Sequence, residues 1–306
     1  MQPRLITNVA LLIIVTGLAL FLVNTNKQEP VVKEVPLTGI DPARVKTILI
    51  DRKQSGEIRF SKVANKWQMQ SPYQLPANEF RIDTMLKLLQ AHSYTEFNKT
   101  DVDLGRFLLE APELAIQFND TRIEFGDTSP LAEQRYVLVD NKVHLINDSL
   151  YEQLQAPATF FLNTRLLPEG SKITSINFPD YSINMESGVW SVSPQTGFSA
   201  DKLVAIVNAW QTLDAISISE YRATDKTESI HIDAGAAGAF DFNIVSPLPK
   251  LVLARPDIGI QYHISGYDTK RLFLQPGQEQ APAPGEEPET MAPVTDHNNT
   301  GPGAED

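Results

Sequence analysis

None of the 306 residues is cysteine. That excludes disulfides, thiolate zinc sites, iron–sulfur clusters, a cysteine nucleophile and a lipidation cysteine. A cysteine-free chain fits reducing and oxidising compartments equally. Positive charge is also scarce: 26 Lys and Arg stand against 38 Asp and Glu, for a net charge of −12. Phosphate binding needs a basic surface, so this balance argues against nucleic acid as a partner. Catalytic signatures are missing as well. There is no Gly-x-Ser-x-Gly elbow, no Gly-rich phosphate loop followed by Lys-Ser/Thr, and no dinucleotide fingerprint. The histidines His92, His144, His231, His263 and His297 never stand at i, i+4, the spacing of a zinc helix. His231 and Asp233 read as a strand-spaced surface pair, and the Gly235 to Gly238 stretch reads as a flexible turn. Asp101 and Asp103 suit the capping of a short helix better than paired acid–base carboxylates. No catalytic residue, metal ligand or cofactor site follows from the sequence.

What the chain does contain begins with an uncharged, apolar run over residues 5–23. Its length is close to the roughly 20 residues that cross the apolar core of a bilayer. A cleaved signal peptide is the competing reading, but Asn24 to Pro30 offers no small-x-small site. Arg4 before the run mildly favours a cytoplasmic N-terminus. The expectation is a single-pass signal anchor over residues 1–26, in the inner (cytoplasmic) membrane of a bacterial cell, with the body of the protein in the periplasm. Residues 27–44, with Pro30 and Pro36 and no periodicity, read as an extended linker.

The body repeats itself. A strand around Ile58 leads to Trp67, then Ser71-Pro72, then a helical run through Met85, Leu86 and Leu89, then Glu96-Phe97. Later, Tyr181 leads to Trp190, Ser193-Pro194, a helical run through Ile206, Val207 and Trp210, and Glu220-Tyr221. Five features in the same order define an internal repeat. Asn78 is the N-cap expected for the first helix, whose apolar face is Ile82, Met85, Leu86 and Leu89. Ser199 is the N-cap expected for the second, with Asp201 in its first turn and Leu203, Ile206, Val207, Trp210 and Leu213 on one face.

Alternating segments 114–118 and 121–125 form a hairpin across Asn119-Asp120. Segments 135–139 and 142–146 form another across Asp140-Asn141. Segments 250–254 and 259–264 echo the latter. A short helix is expected over residues 102–110, brief helices over 149–154 and 268–273, and the apolar run 160–167 closes the first domain. The fold class is therefore α+β: two tandem repeats, 45–168 and 173–274, each an antiparallel sheet with a packed helix. Residues 275–306 carry seven acidic residues, no Lys or Arg and no aromatic, the composition of a disordered acidic tail. Arg135 and Arg165 each sit in an apolar or aromatic setting, where an arginine needs a carboxylate. Each is either a structural ion pair or a contact for an anion or partner.

The strand Ile48-Leu-Ile-Asp-Arg52, Trp67 with Ser71-Pro72, Leu104-Gly105 before Pro112, Phe125-Gly126 and Arg135-Tyr136-Val137 together resemble the domain-of-unknown-function 4340 family over residues 45–275. The resemblance implies a membrane-anchored bacterial envelope protein, some of whose relatives accompany gliding-type or other ABC transport systems. It implies a protein partner in a membrane complex and supplies no catalytic residue. The function expected is thus a non-catalytic accessory or scaffold subunit. The alternative is a periplasmic hydrolase or glycan- or ligand-binding module using a cleft between the domains.

Overall fold

The computed structural model describes residues 14–17, 36–130, 133–195, 197–223, 228–247 and 249–274. It divides into two units, residues 1–164 and 165–306. Within the run 5–23, residues 14–17 are helical and the rest lies outside the described residues, as does the tail 275–306. Among the described residues no helix is long and apolar enough to cross a membrane.

In the first unit the strands are β1 (Thr47–Arg52), β2 (Gly56–Val63), β3 (Lys66–Ser71) and the short β4 (Leu75–Pro76). They are followed by helix α1 (Glu79–Leu86), β5 (Thr95–Asn98), β6 (Leu114–Phe118), β7 (Thr121–Thr128), β8 (Gln134–Val139), β9 (Lys142–Asn147) and helix α2 (Tyr151–Gln155). They form one sheet in the order β4-β3-β2-β1-β6-β7-β8-β9-β5, and every pairing is antiparallel.

The turns explain the registers. Ala64 and Asn65 between β2 and β3, Asn119 between β6 and β7, and Asp140 between β8 and β9 all adopt positive φ, as tight hairpins require. Asn119 also reaches across to the start of β1: its Oδ1 accepts the N–H groups of Lys46 at 2.9 Å and Thr47 at 3.2 Å.

One face of this sheet carries the core. Ile48, Ile50, Ile58, Phe60, Met69, Ile116, Phe118 and Ile123 are buried there, and Ile82, Met85 and Leu89 are buried alongside them. Burying each such side chain contributes about 1.5–3 kcal/mol. Asn78 caps α1 through a hydrogen bond from the Arg81 N–H. The other face is covered near β8 by Val102, Leu104, Phe107 and Leu109, which pack against Tyr136, Leu138 and Val143.

Three local expectations change. The helix expected over 102–110 is a single 3-10 turn, Leu104–Phe107, started by Asp103 and ended by Leu108 in the left-handed region. The chain turns there to bury Leu109. The linker is packed from Pro36 onward: the Leu37 and Thr38 N–H groups donate to Ala91 O and Leu89 O, because Leu37 is buried. The run 160–167 splits. Phe161 packs edge-on against Phe60 at 6.0 Å, whereas Leu166 donates its N–H to Leu213 O in the second unit.

The second unit contains β10 (Ser175–Asn177), β11 (Ser182–Glu186), β12 (Val189–Ser193), helix α3 (Ala200–Thr212) and β13 (Ser217–Glu220). Then come β14 (Ser229–Asp233), β15 (Ala239–Ser246), β16 (Val252–Arg255), β17 (Ile260–His263) and helix α4 (Gly266–Leu272). Its sheet runs β12-β11-β10-β14-β15-β16-β17-β13. With β4 set aside, that is the strand order of the first unit, element for element. Both sheets carry a bulge at the same step, between Phe125 and Thr128 in β7 and between Ile244 and Ser246 in β15. Both Ser-Pro bonds of the repeat are cis. Trp210 is fully buried, and its indole N–H donates to Leu272 O at 3.0 Å, tying α3 to the end of α4.

The β14–β15 hairpin is more than the isolated pair and turn expected from the sequence. Ile230, Ile232, Phe240 and Phe242 alternate inward, while Gly235–Ala237 makes the connecting 3-10 turn.

Gly126 shows how closely the covering segment lies on the first sheet. A Cβ built on it would stand 2.2 Å from the carbonyl oxygen of Phe107 and 2.8 Å from Leu109 Cγ. Main chain cannot give way cheaply, so Gly126→Ala should lower stability by about 1–3 kcal/mol. The measurement is a denaturant midpoint beside the wild type, and an unchanged midpoint would contradict this close packing of Phe107 and Leu109 on Gly126.

Candidate functional site

Arg135 is 8% exposed. Its Nε and Nη2 donate to the Asp148 carboxylate at 2.6 and 2.8 Å, and Nη1 donates to Gly126 O at 2.6 Å. The guanidinium also lies 3.5 Å from the Tyr151 ring centroid. Asp148 therefore occupies the position that an anionic ligand would need. The cation joins the β7 bulge, the end of β9 and α2. Arg165 is a different case: its Nε is 4.0 Å from Asp214 Oδ1, with both side chains more than a third exposed, beside a backbone bridge between the same two residues. The two arginines belong to separate units.

Arg52, not singled out from the sequence as a site residue, is buried without a carboxylate. It donates to three carbonyls, those of Gly56, Ala156 and Ser55, at 3.1, 2.6 and 3.1 Å. Burial lowers its pKa. These bonds clamp the β1–β2 turn to the end of α2 beside a small polar notch of about 70 Å³.

A larger cleft of about 520 Å³ is lined by Pro36 to Ile40, the β8–β9 turn, Glu96 and His144. Lys142 donates to Glu96 at 2.8 Å and holds its carboxyl below the usual range. Burial pushes the His144 imidazole down, and its Nδ1 lies 3.0 Å from the buried Ser93 hydroxyl. Ser93 is also bonded to Thr95 O at 3.2 Å, so it is tethered rather than presented to a substrate.

The remaining candidates keep local roles. Asp103 caps its 3-10 turn, and Asp101 accepts from Asn98 and Thr100. His231 pairs with Asp241 directly across the strands, at 2.7 Å. Among the described residues no group of three His, Asp or Glu is arranged to hold a metal ion; His297 lies outside them.

The repeat differs between its copies at one sheet edge. In an antiparallel hairpin closed by a two-residue turn, alternate residues point their N–H and C=O away from the partner strand. In the first copy Trp67 is such a residue. Its N–H donates to Glu79 Oε1 at 3.0 Å and its C=O accepts from the Ala77 N–H at 2.9 Å. Strand β4 completes the cover by pairing with Gln68 and Met69, and Trp67 is 2% exposed.

In the second copy Ser187 and Gly188 make the turn with positive φ, and Met185 faces Trp190. The Met185 N–H donates to Thr174 O, away from β12, so the N–H and C=O of Trp190 also point away from β11. Val192, two residues on, shares that direction. Among the described residues no hydrogen bond reaches the main chain of either. The reason is legible in the side chains. Ser199 stands where Asn78 stands, which places Ala200 at the position of Glu79, and a methyl group cannot accept the indole residue's N–H.

The other edges are blunted. Strand β4 ends in Pro76, which has no N–H, while β5 carries Glu96 and β13 carries Glu220, charges that discourage edge pairing. Strand β12, Val-Trp-Ser-Val-Ser, has neither charge nor proline. Trp190 and Val192 are only half-buried on it, and Met185 beside them is 41% exposed.

The family profile described as "Domain of unknown function (DUF4340)" matches residues 67–233, more than half of the chain. The chain belongs to this family. No curated protein and no solved structure matches it. The stretch matched to DUF4340 starts at Trp67 and extends through β14, so it takes in both versions of the edge, the Arg135–Asp148 pair and Gly126.

Removing one member of a buried ion pair strands the other, which costs about 3–5 kcal/mol. Asp148→Ala should therefore lose about 3 kcal/mol in chemical denaturation. Arg165→Ala, in an exposed pair, should lose less than about 1 kcal/mol. Equal losses would mean that Arg135 is not the structural cation described.

Proposed function

We propose that this DUF4340 protein is a membrane-anchored, extracytoplasmic, non-catalytic subunit that serves as an accessory or scaffold component of an envelope complex, of the ABC-transport type. The apolar run 5–23 supports the anchor, and the duplicated sheet supports a binding role rather than a reactive one. The observation that carries the reading is the β12 edge. An uncharged strand with outward N–H and C=O groups, bordered by half-buried Trp190 and Val192, is a ready template for an added strand. The first copy, which closes the same edge with Glu79, Ala77 and β4, shows that this repeat can dispose of it within its own chain.

The rival class, a ligand-binding or hydrolytic module, would use the cleft beside His144 and Glu96, whose volume lies in the range of small-molecule sites. A single comparison separates the two. Full-length tagged protein recovered in mild detergent should bring along membrane-complex subunits in stoichiometric amount. Ala200→Glu, which supplies the missing acceptor for Trp190, should sharply reduce that recovery. Subunits retained at the wild-type level by Ala200→Glu, or a protein recovered alone, would count against the docking edge.

A further inference from the structure

The open edge is complementary to itself. Trp190 and Val192 are the residues of β12 that direct their main-chain groups outward, and Ser191 lies between them. When two copies of β12 are laid antiparallel about a two-fold axis at Ser191, Trp190 of each faces Val192 of the other. Both facing pairs are then of the hydrogen-bonded kind, in which the two residues exchange N–H and C=O. Every outward group of the strand acquires a partner. A shift of two residues toward the C-terminus places Pro194 opposite Trp190, and proline has no N–H to give. A shift the other way pairs Val192 with Gly188 in the turn. Of these three registers, only the one centred on Ser191 keeps both facing pairs within the strand and clear of proline.

The side chains agree with it. Trp190 and Val192 share the face on which Ile183 is fully buried, so pairing sets an aromatic residue against a β-branched one across the strands, a favourable combination. The strand is uncharged, so self-pairing brings no like charges together. An arrangement with one patch meeting its own copy is the isologous contact of two-fold dimers.

We propose that β12 takes a second copy of this chain, joining two second-unit sheets into one continuous sheet across a two-fold axis. This rests on the reading of β12 as a docking edge and names its occupant.

Ala200→Glu is the decisive variant. Ala200 is exposed at the first position of α3, where an acidic residue is favoured by the helix dipole, so the fold should tolerate it. Val192→Lys is the second variant, placing a charge in the edge itself. Sedimentation velocity of the full-length chain in mild detergent, across micromolar concentrations, should give twice the chain mass for the wild type and the single-chain mass for both variants. Circular dichroism should be unchanged throughout. A wild type that stays at single-chain mass, or a dimer that survives both variants, overturns self-pairing. If the wild type is monomeric yet Ala200→Glu removes a different protein recovered with it, the docking edge stands and the second copy is not its occupant. If the variants change neither mass nor recovery, both readings fall.

Discussion

Every strand of an antiparallel sheet has N–H and C=O groups on both sides, and the outermost strand must satisfy one set without a neighbour. In this chain that requirement arises twice at equivalent places, because the sheet is built twice with the same order of strands. The first copy meets it internally. Glu79 accepts the N–H of Trp67, Ala77 donates to its carbonyl, and β4 pairs with the residues beyond. The second copy has alanine where the glutamate stands, and among the described residues nothing bonds the outward main-chain groups of Trp190 and Val192. Among the described residues the second copy lacks both that carboxylate and a counterpart of β4.

The rest of the architecture isolates that edge. The buried cations are matched inside the first unit: Arg135 by Asp148, Gly126 O and the Tyr151 ring, Arg52 by three carbonyls. Both arginines pin turns and short helices to the sheet, so their charge holds the fold together and is not presented to a ligand. Gly126 admits the covering segment to the outer face of the sheet, which leaves less apolar surface to be covered from outside. The opposite edges carry Glu96 and Glu220.

Much of this is legible in the amino-acid sequence. The hairpins across Asn119-Asp120 and Asp140-Asn141 announce themselves by turn chemistry, and the N-caps Asn78 and Ser199 by an apolar period of 3.6 downstream. The repeat could be read from Trp67 and Trp190, Ser71-Pro72 and Ser193-Pro194. The β14–β15 hairpin is only half legible: His231 and Asp233 read as a strand-spaced pair, but the glycines at 235 and 238 read as a flexible turn and hide the strand that follows. The segment around Leu104–Phe107 misled because a capping aspartate and an apolar run suit a helix, whereas burial of Leu109 turns the chain after one turn. Arg135 plainly needed a carboxylate, but a sequence does not say which, and Asp148 lies on the far side of a hairpin. The open edge left a trace that one comparison would have exposed, since aligning Asn78 with Ser199 places Glu79 over Ala200. Nothing in that pair alone tells that the carboxylate is spent on a strand.

The claim that the two copies differ in one set of main-chain groups is tested most directly by residue-resolved amide hydrogen exchange on the full-length chain, at low and high protein concentration. The Trp67 amide is expected to be protected at both concentrations, while the Trp190 and Val192 amides exchange freely when dilute and become protected as concentration rises. Protection of Trp190 and Val192 equal to that of Trp67 in the dilute sample would contradict it, since the second edge would then be closed within a single chain.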